Sequence, residues 1–148
     1  MINKDEKPKI RLGKDFHWEM SHRLPFHNGG CQNVHGHSYK MRVDIIGHTD
    51  TNGMVLDFYE IERIVRPYLD QMDHAFTVDQ KDKVIIDFLD QHGFKKYVVS
   101  ENTTAENLAV YFLKEFSPLF AEFENISGLS VRVYETTDAF AEVSADLK

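Results

Sequence analysis

The stretch Cys31-Gln-Asn-Val-His-Gly-His37 decides how the rest of the chain is read. In an extended backbone, residues i and i+2 point to the same side, so His35 and His37 aim their rings at one point. Gly36 between them removes a side chain where the backbone bends or sits close to something. Two converging neutral imidazoles suit a zinc ion, but two ligands do not complete a site. A His-X-His pair on a strand is also often two ordinary satisfied side chains. The rest of the chain must supply a third ligand, and a purpose for the thiol of Cys31.

Working outward, Ile10, Leu12, Phe16, Trp18 and Met20 fall on one face of a long alternating strand. Arg11, Asp15, His17, Glu19 and Ser21 fall on the other. The even parity ends at His22, which therefore lies on the apolar face at the end of the strand. Pro25 and Gly29-Gly30 mark a loop. A second strand starts near His37, with Tyr39, Met41, Val43 and Ile45 sharing the parity of His35 and His37. Consecutive strands joined by a short loop are usually antiparallel neighbours. The end of the first then lies beside the start of the second, and His22, His35 and His37 meet at one edge of one face. Three histidines with no fourth protein ligand is the pattern of a catalytic zinc with an open position.

The remaining chain reads as a turn at Thr49–Gly53, then a helix opened by Asp57 and Glu60 in a capping-box pattern. Pro67 is expected to kink or shorten that helix. Residues 80–92 read as a short helix stopped by Gly93, and Tyr97–Val99 as a brief extended piece. Thr103 with Glu106 reads as a second capping box, opening a helix that Ser117-Pro118 ends. Two strands close the chain, one carrying Leu129, Val131, Val133 and Glu135 on one face, the other Ala139, Ala141, Val143 and Ala145. Residues 1–9 read as a loose polar arm. The expected class is α+β, an antiparallel sheet of four long strands with helices on one face and a charged opposite face. Its open edges have to be managed, and oligomerisation is one way to do so.

A chain of 148 residues with 42% hydrophobic content suits one domain, 1–148, with a sizeable core. No apolar run is long enough to span a membrane, and the polar N-terminus lacks a secretory apolar region, so no membrane role and a cytoplasmic location are expected. The single cysteine excludes an internal disulfide and agrees with a reducing compartment. A formal net charge of -7 argues against a nucleic-acid partner. It leaves room for a small anionic substrate held by local cations. Arg23, Lys14 and Lys40 are candidates by proximity in sequence, although each also reads as solvated surface charge.

Four further residues carry possible chemistry. Cys31 lies in a Gly-rich loop close to the expected dication, which favours access and thiolate formation. A lone Cys is otherwise a small buried hydrophobe. Asp73-His74 reads either as a solvated pair in a connection or as a carboxylate orienting an imidazole for proton transfer. Glu135 has buried-face parity, which is costly for a carboxylate unless it is paired, for instance by a ligand with two adjacent N–H donors. It also reads as a strand-end residue turning to solvent.

Together, five segments resemble the 6-pyruvoyltetrahydropterin synthase and 6-carboxytetrahydropterin synthase family: Glu19-Met-Ser-His22-Arg-Leu-Pro25, Cys31 to His37, Met72-Asp73-His74, Thr103-Thr-Ala-Glu106-Asn107 and Val133-Tyr-Glu135-Thr136. They span nearly the whole chain in the family's order. The spacing from Cys31 to His35-Gly-His37 is similar to the 6-carboxytetrahydropterin branch, which implies the queuosine precursor pathway rather than tetrahydrobiopterin. The resemblance implies Zn2+ on His22, His35 and His37, with Cys31 as general base and Asp73 with His74 as a second acid/base pair. It implies that Glu135 holds the pterin's 2-amino and N3 edge, and that Glu106 and Thr104 belong to a second pterin-pocket segment.

The implied substrate is 7,8-dihydroneopterin triphosphate, which would lose triphosphate and acetaldehyde. Forming the 6-pyruvoyl compound, an aldolase-like cleavage, and a non-catalytic zinc-containing pterin-binding oligomer are the alternatives. The implied fold is the tunnelling fold, in which each subunit gives four strands to a barrel shared by three, and two rings stack into a hexamer with sites at subunit interfaces. Thr77-Val78 stand where the family often has Leu-Asn, Thr103 stands where Pro is common, and 79–101 is longer than in the shortest members.

Overall fold

The computed structural model describes residues 7–148, and the outermost part of the expected polar arm, residues 1–6, lies outside them. Strand β1 (Ile10–His22) and strand β2 (His35–Gly47) form one antiparallel ladder, paired from Ile10 with Gly47 to His22 with His35. Alternation does what it predicts: Phe16, Trp18, Met20 and His22 are buried from β1, and Tyr39, Met41, Val43 and Ile45 from β2. Helix α1 (Phe58–Met72) follows, then β3 (Ala75–Asp79), α2 (Lys83–His92), β4 (Lys96–Val99), α3 (Ala105–Phe120), β5 (Ile126–Tyr134) and β6 (Phe140–Asp146).

The class is α+β with helices packed on a sheet, but the sheet has six strands in the order β4-β3-β1-β2-β5-β6, not four. It is also mixed. β1 pairs β3 in parallel through Met20 and Ser21, and β3 pairs β4 in parallel, while the other pairings are antiparallel. Helix α2 is a crossover that returns the chain to the same end of the sheet and so makes β3 and β4 parallel, while α1 joins β2 to β3, which run in opposite directions. β3 escapes a sequence reading because Ala75, Phe76, Thr77 and Val78 are all buried, so it shows no alternation.

Three helix details also differ from expectation. Pro67 does not shorten α1, and α3 runs through Pro118 to Phe120. Both prolines are on exposed positions, where water can serve the carbonyl left without a donor. In α3 the buried pair Phe116 and Phe120 holds the last turn to the core. The N-cap of α3 is Thr104, whose hydroxyl accepts from Asn107 N–H at 3.2 Å, and not Thr103. Asp57 does cap α1, while Glu60 pairs with Arg63 instead of reaching back.

The core lies between the helices and one face of the sheet, with Trp18 stacked on Tyr39 and edge-on to Phe112. The other face is charged: Arg42 reaches Asp15 and Asp44, Arg11 reaches Asp44, and Arg132 reaches Glu142. Among the described residues β6 is an open edge, and β3 covers β1 only at Met20 and Ser21.

Candidate metal centre and active site

The register of β1 on β2 places His22 opposite His35 and Met20 opposite His37. The three rings converge, with centroid separations of 4.6 Å (His22–His35), 5.2 Å (His22–His37) and 4.9 Å (His35–His37). One nitrogen from each lies within 4.8 Å of the others, an arrangement that can hold a metal ion. Gly36 is needed for this approach, since a Cβ there would stand 3.0 Å from the carbonyl oxygen of Met20 across the ladder.

The surroundings set which nitrogen each ring presents. His22 Nδ1 lies 2.9 Å from the Thr103 carbonyl and 3.1 Å from its hydroxyl. His35 Nδ1 lies 2.7 Å from the Asn33 carbonyl. A carbonyl only accepts, so in both rings Nδ1 carries the proton and Nε2 presents its lone pair. The Asn33 carbonyl is aimed by a short turn, Gly30–Gln32, in which Asn33 N–H and Nδ2–H both donate to the Gly30 carbonyl. Nε2 of His35 and Nε2 of His37 are buried and have no hydrogen-bond partner among the described residues. His35, held at Nδ1 by a carbonyl and bare at Nε2, has the arrangement that prepares a histidine to hold a metal.

Charge supports this. Burial lowers the pKa of His22 to about 4, and the neighbouring His35 and His37 push it the same way. Burial also lowers that of His37, against an opposing pull from Glu135. The rings of His22 and His37 are therefore held toward the neutral form, the form a metal needs. Glu135 Oε1 faces the same hollow, 3.4 Å from His22 Nε2 and 3.8 Å from His37 Nε2. The buried Tyr39 hydroxyl stands 3.4 Å from His22 Nε2. Its pKa is raised, first by burial and then by the charges of Glu135 and Cys31. Imidazole lone pairs and a carboxylate converging without a cation repel one another, and a bound divalent cation removes that cost.

Cys31 is partly buried in the Gly30–Gln32 turn, where its carbonyl accepts from Leu24 N–H at 2.7 Å. Asp73 and His74 are elsewhere. Asp73 Oδ1 accepts from Glu19 N–H at 2.9 Å, and its Oδ2 lies 3.0 Å from His74 Nδ1. The Glu19 N–H, followed by His74, lowers the Asp73 pKa. His74 has φ 57°, the left-handed region, which is uncommon for a residue with a side chain and often marks a functional position. Two contacts hold it there: His74 N–H donates to the Glu19 carbonyl at 2.7 Å, and Lys95 Nζ donates to the Asp73 carbonyl at 2.7 Å.

The hollow of about 380 Å³ beside His74 is lined by Glu19, Met20, Ser21, Gly36, His37 and Ser38. Within one chain the structure joins the histidines with Glu135, and holds Asp73-His74 on the Glu19 backbone at the edge of β1. Thr104 caps α3 and Glu106 is exposed in its first turn, next to Thr103 and so close in sequence to the ligand end of the sheet. Each cation suggested by sequence proximity is engaged: Arg23 with Asp82, Lys14 with Glu62 and Lys40 with Asp15.

A sequence profile of the family described as 6-pyruvoyl tetrahydropterin synthase matches residues 11–146. The chain belongs to that family. A Haemophilus influenzae member named 6-carboxy-5,6,7,8-tetrahydropterin synthase is 36% identical over 141 residues, covering 90% of this chain and 97% of its own. A Rickettsia bellii protein of the same name is 32% identical, covering 90% and 99%. Among solved structures, 6-pyruvoyl tetrahydropterin synthase from Plasmodium falciparum superposes with a TM-score of 0.74 at 15% identity, covering 93% of this chain and 98% of that one. An uncharacterized Wolinella succinogenes protein superposes at 0.79 with 20% identity, covering 92% and 98%. At these identities the structural likeness shows the family's fold.

Asn33, Thr103 and Lys95 are the residues that sequence reasoning does not assign. Asn33 and Lys95 act on or through backbone carbonyls and Thr103 from 81 positions away, so no side-chain pattern signals them. For Thr103 the only hint is its departure from the family's common Pro.

A pH dependence follows from His22. Its pKa is about 4 in the folded chain against 6.5 for an ordinary His. Between those values the unfolded chain binds a proton that the folded chain does not, so stability rises with pH across this window. The metal-free protein should keep this contribution above about pH 6.5 and lose on the order of 3 kcal/mol as pH falls toward 4. Urea unfolding of the wild type and of His22→Gln at pH 7 and pH 4.5 checks this. The substitution should flatten the difference, and an unchanged difference would contradict it.

Proposed function

We propose that this protein is a zinc-dependent lyase converting 7,8-dihydroneopterin triphosphate and water to 6-carboxy-5,6,7,8-tetrahydropterin, with release of acetaldehyde and triphosphate. The observation that carries the reading is the convergence of three imidazoles, two of them with Nδ1 held by a backbone carbonyl, in a chain whose curated relatives bear that product's name. His22, His35 and His37 would hold Zn2+. Zinc bound there would polarise the side-chain oxygens of the substrate and acidify the adjoining carbon.

The chain's own groups supply the rest. Cys31 Sγ takes up a proton as general base, and three His ligands leave it free to do so. Asp73, kept ionised by its hydrogen bonds, holds His74 Nδ1–H, so that Nε2 is the atom that gives or accepts a proton. Glu135 accepts from the pterin's 2-amino and N3–H groups, a pairing that meets the cost of a carboxylate in this hollow. Glu106 and Thr104, at the start of α3, belong to the adjoining wall of the pterin pocket. Domain 1–148 forms one such unit, acting in the cytoplasm in queuosine precursor synthesis.

The active site is completed by a second copy of the chain. Asp73 and His74 bond the Glu19 backbone at the edge of β1, which β3 covers only at Met20 and Ser21, so a neighbour pairing along that edge would bring its own residues to this end of the sheet. The open edges of β1 and β6 support a shared barrel of three subunits, stacked in pairs as a homo-hexamer.

Zinc-loaded protein incubated with dihydroneopterin triphosphate should yield acetaldehyde and the 6-carboxy product. A 6-pyruvoyl product without acetaldehyde would move the chain to the sister activity, and no consumption would overturn the enzyme reading. Cys31→Ala should lower kcat by about 10²–10⁴-fold with zinc retained. His35→Ala should lose both zinc and turnover, and tight zinc in that variant would sink the ligand set. For the shared site, coexpressing Cys31→Ala with His74→Ala should restore turnover that neither variant has alone, through sites that pair an intact Cys31 with an intact His74. Assemblies of mixed subunits that stay inactive would contradict it.

A further inference from the structure

The ligands are not held alike. His35 takes its carbonyl from Asn33, two residues earlier, where the chain leads into β2. Among the described residues, His22 takes its only Nδ1 partners from Thr103, in the connection between β4 and α3. The Thr103 hydroxyl, at 3.1 Å from His22 Nδ1, also lies 3.5 Å from the carbonyl of Arg23, the residue after the ligand. Arg23 in turn makes a two-pronged pair with Asp82, Nε to Oδ2 at 2.7 Å and Nη2 to Oδ1 at 2.8 Å. The Asp82 side chain is almost fully buried, and Arg23 keeps a quarter of its surface. A buried pair of this kind is poor evidence for stability, because desolvation offsets most of the attraction, but its planar fork fixes geometry.

We propose that Thr103 and Asp82 are positioning residues for the metal ligand His22. Thr103 holds the ring with its carbonyl and hydroxyl together. Asp82 holds Arg23, and with it the backbone that leaves the ligand. The segment between β3 and α3 is thus a brace on the metal centre, and Arg23 is committed to that brace and does not serve as a receptor for phosphate. The proposal rests on reading the three histidines as a metal centre.

The test is competition for Zn2+ between the protein and a chromophoric chelator, followed by thermal unfolding of the same samples without metal. Thr103→Val and Asp82→Asn should each bind zinc about 10- to 100-fold more weakly than wild type, the range found for groups that orient ligating histidines. Thr103→Ser keeps the hydroxyl and should bind like wild type. Should Thr103→Val not fold, Thr103→Ala carries the same expectation. If Thr103→Val and Asp82→Asn hold zinc as tightly as wild type, the brace is overturned while the metal centre stands. The brace is equally overturned if Thr103→Ser is as weak as Thr103→Val. If the wild type itself binds no zinc, the metal-centre reading falls and takes the brace with it.

Discussion

The structure depends on the register of β1 against β2. The two strands pair along their full length, from Ile10 with Gly47 to His22 with His35. Because side chains alternate, a slip of one residue would send every core residue of one strand to the charged face. The same register that buries Trp18, Tyr39 and Met41 is therefore what brings His22 to His35 and His37. Fold and site are one constraint here: the ligands are the last residues of the hydrophobic stripe. They lie where the ladder opens and the loop containing Cys31 begins.

At that opening the chain concentrates unfavourable chemistry. One histidine is fully buried, two others have buried nitrogens without partners, and a carboxylate leans toward them. Carbonyls of Thr103 and Asn33 remove the alternative in which these rings share protons with one another. The result is a hollow lined by lone pairs, which a cation would satisfy. Cys31 is not among the three residues that could hold an ion. Asp73-His74 is organised just as closely at the edge of β1, with His74 in a left-handed conformation held from both sides.

Much of this is legible in the chain. Strict alternation over residues 10–22 and from near His37 to Ile45 identifies both long strands, and parity alone adds His22 to the His35–His37 pair. Sequence reading fails where local pattern carries no information. β3 is buried on both faces and so has no alternation, and it makes the sheet six-stranded and mixed. Pro67 does not shorten its helix and Pro118 does not end its own, because at exposed positions packing of the opposite helix face outweighs one missing bond. Thr103 reads as a cap, yet its neighbour Thr104 caps the helix and Thr103 turns to His22. Contacts through backbone carbonyls, such as those of Asn33, leave no trace in residue types.

The assignment of the metal centre to three imidazoles, and not to the thiol beside them, is open to direct measurement. X-ray absorption at the zinc edge of the loaded wild-type protein decides it. The expected result is a first shell of nitrogen and oxygen donors at about 2.0–2.2 Å with imidazole scattering and no sulfur. A zinc–sulfur distance of about 2.3 Å would make Cys31 a ligand, remove it as a base and contradict the assignment.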